Sequence, residues 1–421
     1  MLGIRISMLR KNARMSQKEL AKGIISVSHL SNLEANRYKA SIETIELLAK
    51  RLNVLSSYLI NYSKENDILR ERIISLKEGI ILNLGNVNKI INDITLPIEN
   101  TELEISYYLL KASFYYKTNQ FDLAVEINNK FISYYDNFLN NSLESLPDVL
   151  KQSTLYYSGM KNYRVYNLSE SNKYFNRLLG ITSNNSIKAN LHYNIALINH
   201  NQSNRIGAFE NANTALNLYI ELQQWKKIGE LYNFLGVVYR EASLAENAMQ
   251  FFDKSMNISV QMNLESIKER IFHNKGLVLE DMEDYEGAIK NFKLSYDLKM
   301  NNKKNNSLFL TVRCLIRCYI KTNDISMAKK LTKESLANIE NPKQFHILKA
   351  LEAEIHYIEK DYESFLEKLI KSINYLNKHN YFKEIIGLNT KIADFYFSQK
   401  KYKSAAIYYK QELEFKNFKK G

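Results

Sequence analysis

A chain of 421 residues is too long for one small core, so at least two domains are expected. With only 13 Gly and 3 Pro among abundant Leu, Ile, Lys, Asn and Tyr, the composition excludes a long disordered linker and argues for an all-α protein. The formal net charge is +13, and residues 1–62 contribute +6 of it, with ten basic and four acidic side chains. That density is the electrostatic footprint of a phosphate-binding surface, although a general lysine bias accounts for part of it.

The first informative elements lie at Met15–Ala35, MSQKELAKGIISVSHLSNLEA. Gln17–Lys22 reads as a short helix with Ser16 as N-cap and Leu20 and Ala21 facing inward. Gly23 supplies a left-handed turn, and Ser26 caps a second helix, Val27–Glu34, whose Leu30 and Leu33 are core positions. Gln17, Glu19-Leu20-Ala21, Ser26, Leu30-Ser31 and Leu33-Glu34 fall on the signature of the Xre/Cro-type helix-turn-helix domain, which this segment resembles. Ile42, Ile45, Leu48-Ala49 and Leu52-Asn53-Val54 match the helices that complete such a five-helix domain, so residues 1–62 are expected to form it.

A polar stretch around 63–67 is expected to act as a hinge. From Ile68 onward helix follows helix, and an internal repeat appears. Ala208, Ala248, Ala288 and Ala328 recur at 40-residue steps, as do Ala196, Gly236 and Gly276. Small residues at both places let two antiparallel helices approach closely. Leu231–Met256 and Ile271–Tyr296 both resemble the tetratricopeptide repeat, with a longer period than its usual one and so with longer helices. Weaker copies occupy Tyr107–Tyr135, Thr154–Leu179, Leu191–Tyr219, Phe309–Leu336, Ile347–Leu376 and Asn389–Phe415. With a degenerate pair at Ile68–Ile94, residues 68–421 are expected to form a right-handed solenoid of about nine helix pairs with a concave groove.

Several classes are excluded. Met1–Leu9 lacks the apolar run of a signal peptide, and no segment is long and apolar enough to span a membrane. Cys314 and Cys318, without metal-spaced histidines, suit buried free thiols of a cytoplasmic protein; a redox pair is the alternative. No phosphate loop, zinc-protease motif or nucleophile elbow is present, so neither catalysis nor a metal or other cofactor is expected.

A helix-turn-helix domain followed by tetratricopeptide repeats is similar to the RRNPP family of peptide-sensing regulators of low-GC Gram-positive bacteria. GIISVSHLSNLEANRYKAS and the chain length resemble its NprR branch most, with PlcR as a shorter relative. The resemblance implies a mechanism. A short secreted peptide is re-imported, binds in the concave groove, and alters the placement of DNA-binding domains in a homodimer or tetramer on double-stranded operator DNA. Some members also sequester a response regulator, and a phage lysogeny regulator of the same architecture is a further alternative.

The candidate site residues follow from these frames. The first turn of a recognition helix points into the major groove, so Val27, Ser28 and Asn32 are expected at base edges, with His29 beside them. Gln17, Arg37, Tyr38 and Lys39 are expected to hold phosphates. In the repeats, counting from the small residue of each first helix places Asn194, Asn233, His273 and Asn274 on the groove face. A primary amide there can grip a peptide backbone whatever its side chains. Phe234 interrupts this asparagine ladder. Arg240, Arg313 and Arg317 fall on the same face and are expected to clamp a carboxylate.

Overall fold

The computed structural model describes residues 1–301 and 305–418, and every regular element among them is helical. Residues Met1–Gln224 and Trp225–Gly421 form two compact units.

The first unit opens with α1 (Leu2–Asn12), α2 (Gln17–Ala21), α3 (Val27–Glu34), α4 (Ile42–Arg51) and α5 (Ser56–Ile60). Their core is Ile6, Leu20, Leu30, Leu33, Leu48 and Leu59 with their neighbours. Each of these aliphatic side chains contributes roughly 1.5–3 kcal/mol by burial. Ser16 and Ser26 cap α2 and α3 as their positions suggest: the Ser16 side chain accepts from Glu19 N, and that of Ser26 from His29 N. Gly23 takes φ +73° in the intervening turn.

The same unit continues with α6 (Asp67–Leu82), α7 (Val87–Asp93), α8 (Thr101–Lys117), α9 (Phe121–Lys130), α10 (Asp136–Asn141), α11 (Asp148–Arg164), α12 (Leu168–Ile181), α13 (Asn185–Asn201) and α14 (Arg205–Glu221). The segment expected as a hinge is pinned by its neighbours. Thr101 N donates to Tyr62 O at 2.8 Å, and Asn100 Nδ2 donates to Lys64 O at 3.0 Å.

The second unit comprises α15 (Trp225–Glu241), α16 (Ala245–Gln261), α17 (Glu265–Asp281), α18 (Tyr285–Asn301), α19 (Asn305–Lys321), α20 (Ile325–Ala337), α21 (Pro342–Ile358), α22 (Tyr362–Lys378), α23 (Phe382–Ile385), α24 (Leu388–Ser398) and α25 (Tyr402–Phe418). Nine helix pairs are thus present among the described residues, counting α6/α7 and α24/α25 as the outermost. The long period has a simple origin. From α15 to α17 two 17-residue helices alternate with three-residue turns, which closes a 40-residue cycle. The middle residue of each turn is left-handed, as at Ser243 (φ 61°), Asn263 (φ 52°) and Glu283 (φ 62°).

The alanines at 208, 248, 288 and 328 are all fully buried. The second small position is matched to the residue sixteen places later. A Cβ on Gly236 would meet the Phe252 ring at 2.5 Å, and one on Gly276 would meet Phe292 at 2.6 Å. Where the first position grows, the second shrinks: Ala196 goes with Ala212, and Ile316 with Thr332, all four buried.

Candidate functional site

Two faces collect the residues singled out by the sequence. On the first, α3 turns Leu30 and Leu33 into the core and leaves Val27, Ser28, His29 and Asn32 exposed. Val27 is 44% exposed. Ser28 Oγ lies 3.0 Å from Ser26 Oγ, which tethers the first turn. His29 stacks on Tyr38 with ring centroids 5.3 Å apart and 6° between planes, so the two rings act as one flat element. Arg37 and Lys39 are exposed beside them.

Other polar groups of this domain are structural. Gln17 Nε2 donates to Glu34 Oε2 at 2.9 Å, while Arg10 grips both oxygens of Glu34 at 2.6 and 2.9 Å. Burial raises the Glu34 carboxyl, but the Arg10 and Gln17 donors outweigh it and hold it below the usual carboxylate range. The Gln17 amide is therefore turned onto a carboxylate, not held open at the helix start. Arg51 Nη1 donates to Leu20 O at 3.0 Å and also to Lys22 O, closing the C-terminus of α2. Arg5 is fully buried. Three of the ten basic residues counted as a phosphate footprint thus serve the fold itself.

The position of α3 is fixed from behind. A Cβ on Gly3 would lie 2.0 Å from Leu33 O, so α1 crosses the end of α3 in direct backbone contact. Asn36 Oδ1 accepts from Gly3 N at 2.9 Å and locks that crossing. The sequence offers only an early glycine as a signal for it.

The second face lies on α15, α17 and α19, the first helices of three successive pairs. Asn274 Nδ2 donates to Asn233 Oδ1 at 3.0 Å across α17 and α15. Arg240 binds Asp281 through Nε and Nη2 at 2.6 and 3.2 Å. Both links join residues 41 apart, one more than the repeat period, so Asn274 meets Asn233 and not Phe234. The interrupted asparagine ladder is closed by this one-residue offset. Arg317 grips both oxygens of Glu280 at 3.0 and 2.7 Å, and Arg313 Nη1 reaches Glu384 of α23 at 2.8 Å. His273 Nδ1 lies 3.1 Å from Thr311 Oγ1, which also accepts from the buried Lys299 at 2.7 Å. Burial, followed by the charges of Lys299, Arg240 and Arg317, pulls His273 down to about 3, so its ring is neutral at physiological pH.

Six of the seven candidates on this face therefore stand together, each with an internal partner. Asn194 is on α13 of the first unit and is half-buried. Sequence reasoning missed the partners Glu280, Asp281, Thr311 and Glu384. The first two end α17; Asp281 becomes visible once the 41-residue offset is known, whereas Glu280 lies 37 residues before Arg317 and does not follow from it. Glu384 sits on a four-residue helix outside the repeat pattern.

Cys314 and Cys318 are buried and free. Burial pushes their thiols up to about 11 and about 12, so neither is a thiolate near neutral pH. Among the described residues no cluster of His, Cys, Asp and Glu suits a metal ion, and no helix is long and apolar enough to cross a membrane.

Comparison with known proteins supplies the rest. The helix-turn-helix family matches residues 6–59, and the tetratricopeptide repeat family matches residues 269–302. The transcriptional activator NprA of Geobacillus stearothermophilus is 24% identical over 422 residues, spanning 94% of this chain and 98% of NprA. The apo structure of RapI superposes with a TM-score of 0.66 at 14% identity, over 84% of this chain and 99% of RapI. The quorum sensor NprR of B. thuringiensis in its apo form gives 0.65 at 17% identity, over 83% and 99% of the two chains. NprR in complex with its cognate peptide NprX gives 0.55 at 16%, over 84% and 99%. These structures share the fold. A helix-turn-helix head followed by tetratricopeptide repeats is matched along nearly the whole length of a transcriptional activator, and the fold is the one shared by RapI and NprR.

Proposed function

We propose that the protein is a cytoplasmic quorum-sensing regulator that reads operator DNA through α3 and is controlled by a short re-imported peptide. Residues 1–62 read the DNA and residues 68–421 sense the peptide and assemble a homodimer or tetramer. The observation that carries the DNA-reading half is the polarity of α3. Leu30 and Leu33 are buried while Val27, Ser28, His29 and Asn32 are exposed on one capped helix. Asn32 pairs bidentately with adenine, Ser28 donates or accepts, and Val27 contacts a thymine methyl. The stacked His29–Tyr38 pair, with Arg37 and Lys39, contacts the flanking phosphates.

The peptide lies across α15, α17 and α19. Asn233 and Asn274 use the amide positions outside their mutual bond for its backbone. Arg240, Arg313 and Arg317 exchange their internal carboxylates for those of the ligand. An exchange of this kind makes binding selective for charge, because the displaced carboxylates must find water. That NprR, of the same fold, binds the peptide NprX supports this reading.

The likeness to RapI favours a second reading, in which the repeats sequester a response regulator and DNA binding is secondary. One experiment separates them. The purified full chain is titrated in a calorimeter with synthetic fragments of any short secreted pro-peptide encoded next to its gene, and with promoter DNA. Saturable binding of both supports the proposal. Binding of neither sinks it.

A further inference from the structure

The seam between the DNA-reading head and the first repeats is built around a buried ion pair. Arg5 of α1 is fully buried, and Glu104 of α8 is 2% exposed. Arg5 Nη2 donates to Glu104 Oε2 at 2.6 Å. The guanidinium also donates to Tyr58 O at 2.7 Å, to Glu99 O at 2.5 Å and to Ile98 O at 3.3 Å. The other Glu104 oxygen accepts from the Tyr58 hydroxyl, and the Arg5 guanidinium carbon sits 4.2 Å over the Tyr58 ring. One cation thus ties together α1, the end of α5, the loop before α8 and α8 itself.

Further bonds flank it. Asn61 Nδ2 donates to Glu99 Oε2 at 2.8 Å, next to the Tyr62 and Lys64 carbonyls already held by residues 100 and 101. On the far side of α1, Asn12 Nδ2 donates to Lys130 O at 2.9 Å and Asn12 Oδ1 accepts from Tyr134 at 3.2 Å. Met8 of α1 packs in the hydrophobic core of the repeats, not in that of the head. A tethered domain on a free hinge needs none of these. A buried ion pair adds little net stability over an apolar pair of the same shape, but it punishes every arrangement that leaves one charge alone. Its distinctive effect is to select one arrangement.

We propose that Glu104 locks the DNA-reading head to the first repeats, so that α3 moves with α8 as one rigid body and not on a hinge at 63–67. A signal arriving in the repeats then reaches DNA by reorienting that whole body. The inference stands on the seam alone and does not depend on the peptide reading.

The test measures a distance across the seam in the full chain. Cys314 and Cys318 are replaced by alanine, and spin labels are placed at Lys50→Cys on α4 and Asp122→Cys on α9, both exposed. The expected result is one narrow distance peak, which Glu104→Gln spreads into a broad distribution while circular dichroism stays unchanged. A broad distribution in the parent overturns the proposal, and so does a peak that stays narrow in Glu104→Gln. Should Glu104→Gln lose helix content, Tyr58→Phe decides by the same criterion, since it keeps the ring and removes only the hydroxyl bond to Glu104.

Discussion

The pairing of a small residue with a ring sixteen places on can be tested at Gly276 and Phe292. An added Cβ at Gly276 would lie 2.6, 2.7 and 2.9 Å from three atoms of the Phe292 ring. Ordinary contact begins at 3.4 Å, so the ring must retreat by about 0.8 Å. It has nowhere to go, because Phe292 is fully buried against Cys314, Leu315 and Ala328. Overpacking of this size costs about 1–3 kcal/mol. Phe292→Ala alone leaves a cavity and costs about 3–5 kcal/mol. The double variant recreates the Ala/Ala pair that the chain itself uses at 196 and 212, and it removes the clash. Its cost should fall short of the sum of the singles by about 1–3 kcal/mol. Urea unfolding followed by the fluorescence of Trp225, the single tryptophan and the first residue of α15, reports on this unit. Additivity within about 0.5 kcal/mol would refute the complementarity.

Gly3→Ala should destabilise the head by about 3 kcal/mol or more, because the clash is with the Leu33 carbonyl and no side chain can relieve it; hydrogen exchange of α1 and α3 amides would register the loss. His273 makes stability fall on acidification. Its folded value of about 3 lies below the unfolded 6.5, so between those values the unfolded chain binds more protons. At pH 5 the cost is about 2 kcal/mol relative to neutral pH, and His273→Gln should abolish that part of the slope in urea melts taken across pH. Glu283→Gly should stabilise by about 0.5–1 kcal/mol, read as a rise in the urea midpoint, since Glu283 holds φ 62° between two helices.

Much of the fold is legible in the sequence because short-range chemistry sets it. Serine at 16 and 26 caps the helices it precedes, and the spacing of Leu30 and Leu33 marks the buried side of α3. The repeat period announces helix pairs because each buried alanine recurs at the same depth. The size of that period reflects helix length plus turn length, and its turns use Ser243, Asn263 and Glu283 where glycine would be the obvious marker. What stays hidden is long-range. Nothing near Arg5 in the chain indicates that it meets Glu104, 99 residues on, and it looks like a phosphate contact until its burial is known. The asparagines and arginines of α15, α17 and α19 are visible as a row. Two of their internal links, Asn274–Asn233 and Arg240–Asp281, depend on a one-residue offset between neighbouring helices, which a count along the sequence does not supply. Glu384 lies outside any repeat register, so its bond to Arg313 had no sequence signal.

The account turns on α3 reading bases. An operator selected from random duplexes by the full chain, and a scrambled duplex of equal length, are titrated at matched salt with the parent protein and with Asn32→Ala. The expected result is a loss of about 1–3 kcal/mol on the selected operator and none on the scrambled duplex. Equal loss on both duplexes, or no loss on either, would contradict the assignment of α3 as the element that reads the sequence.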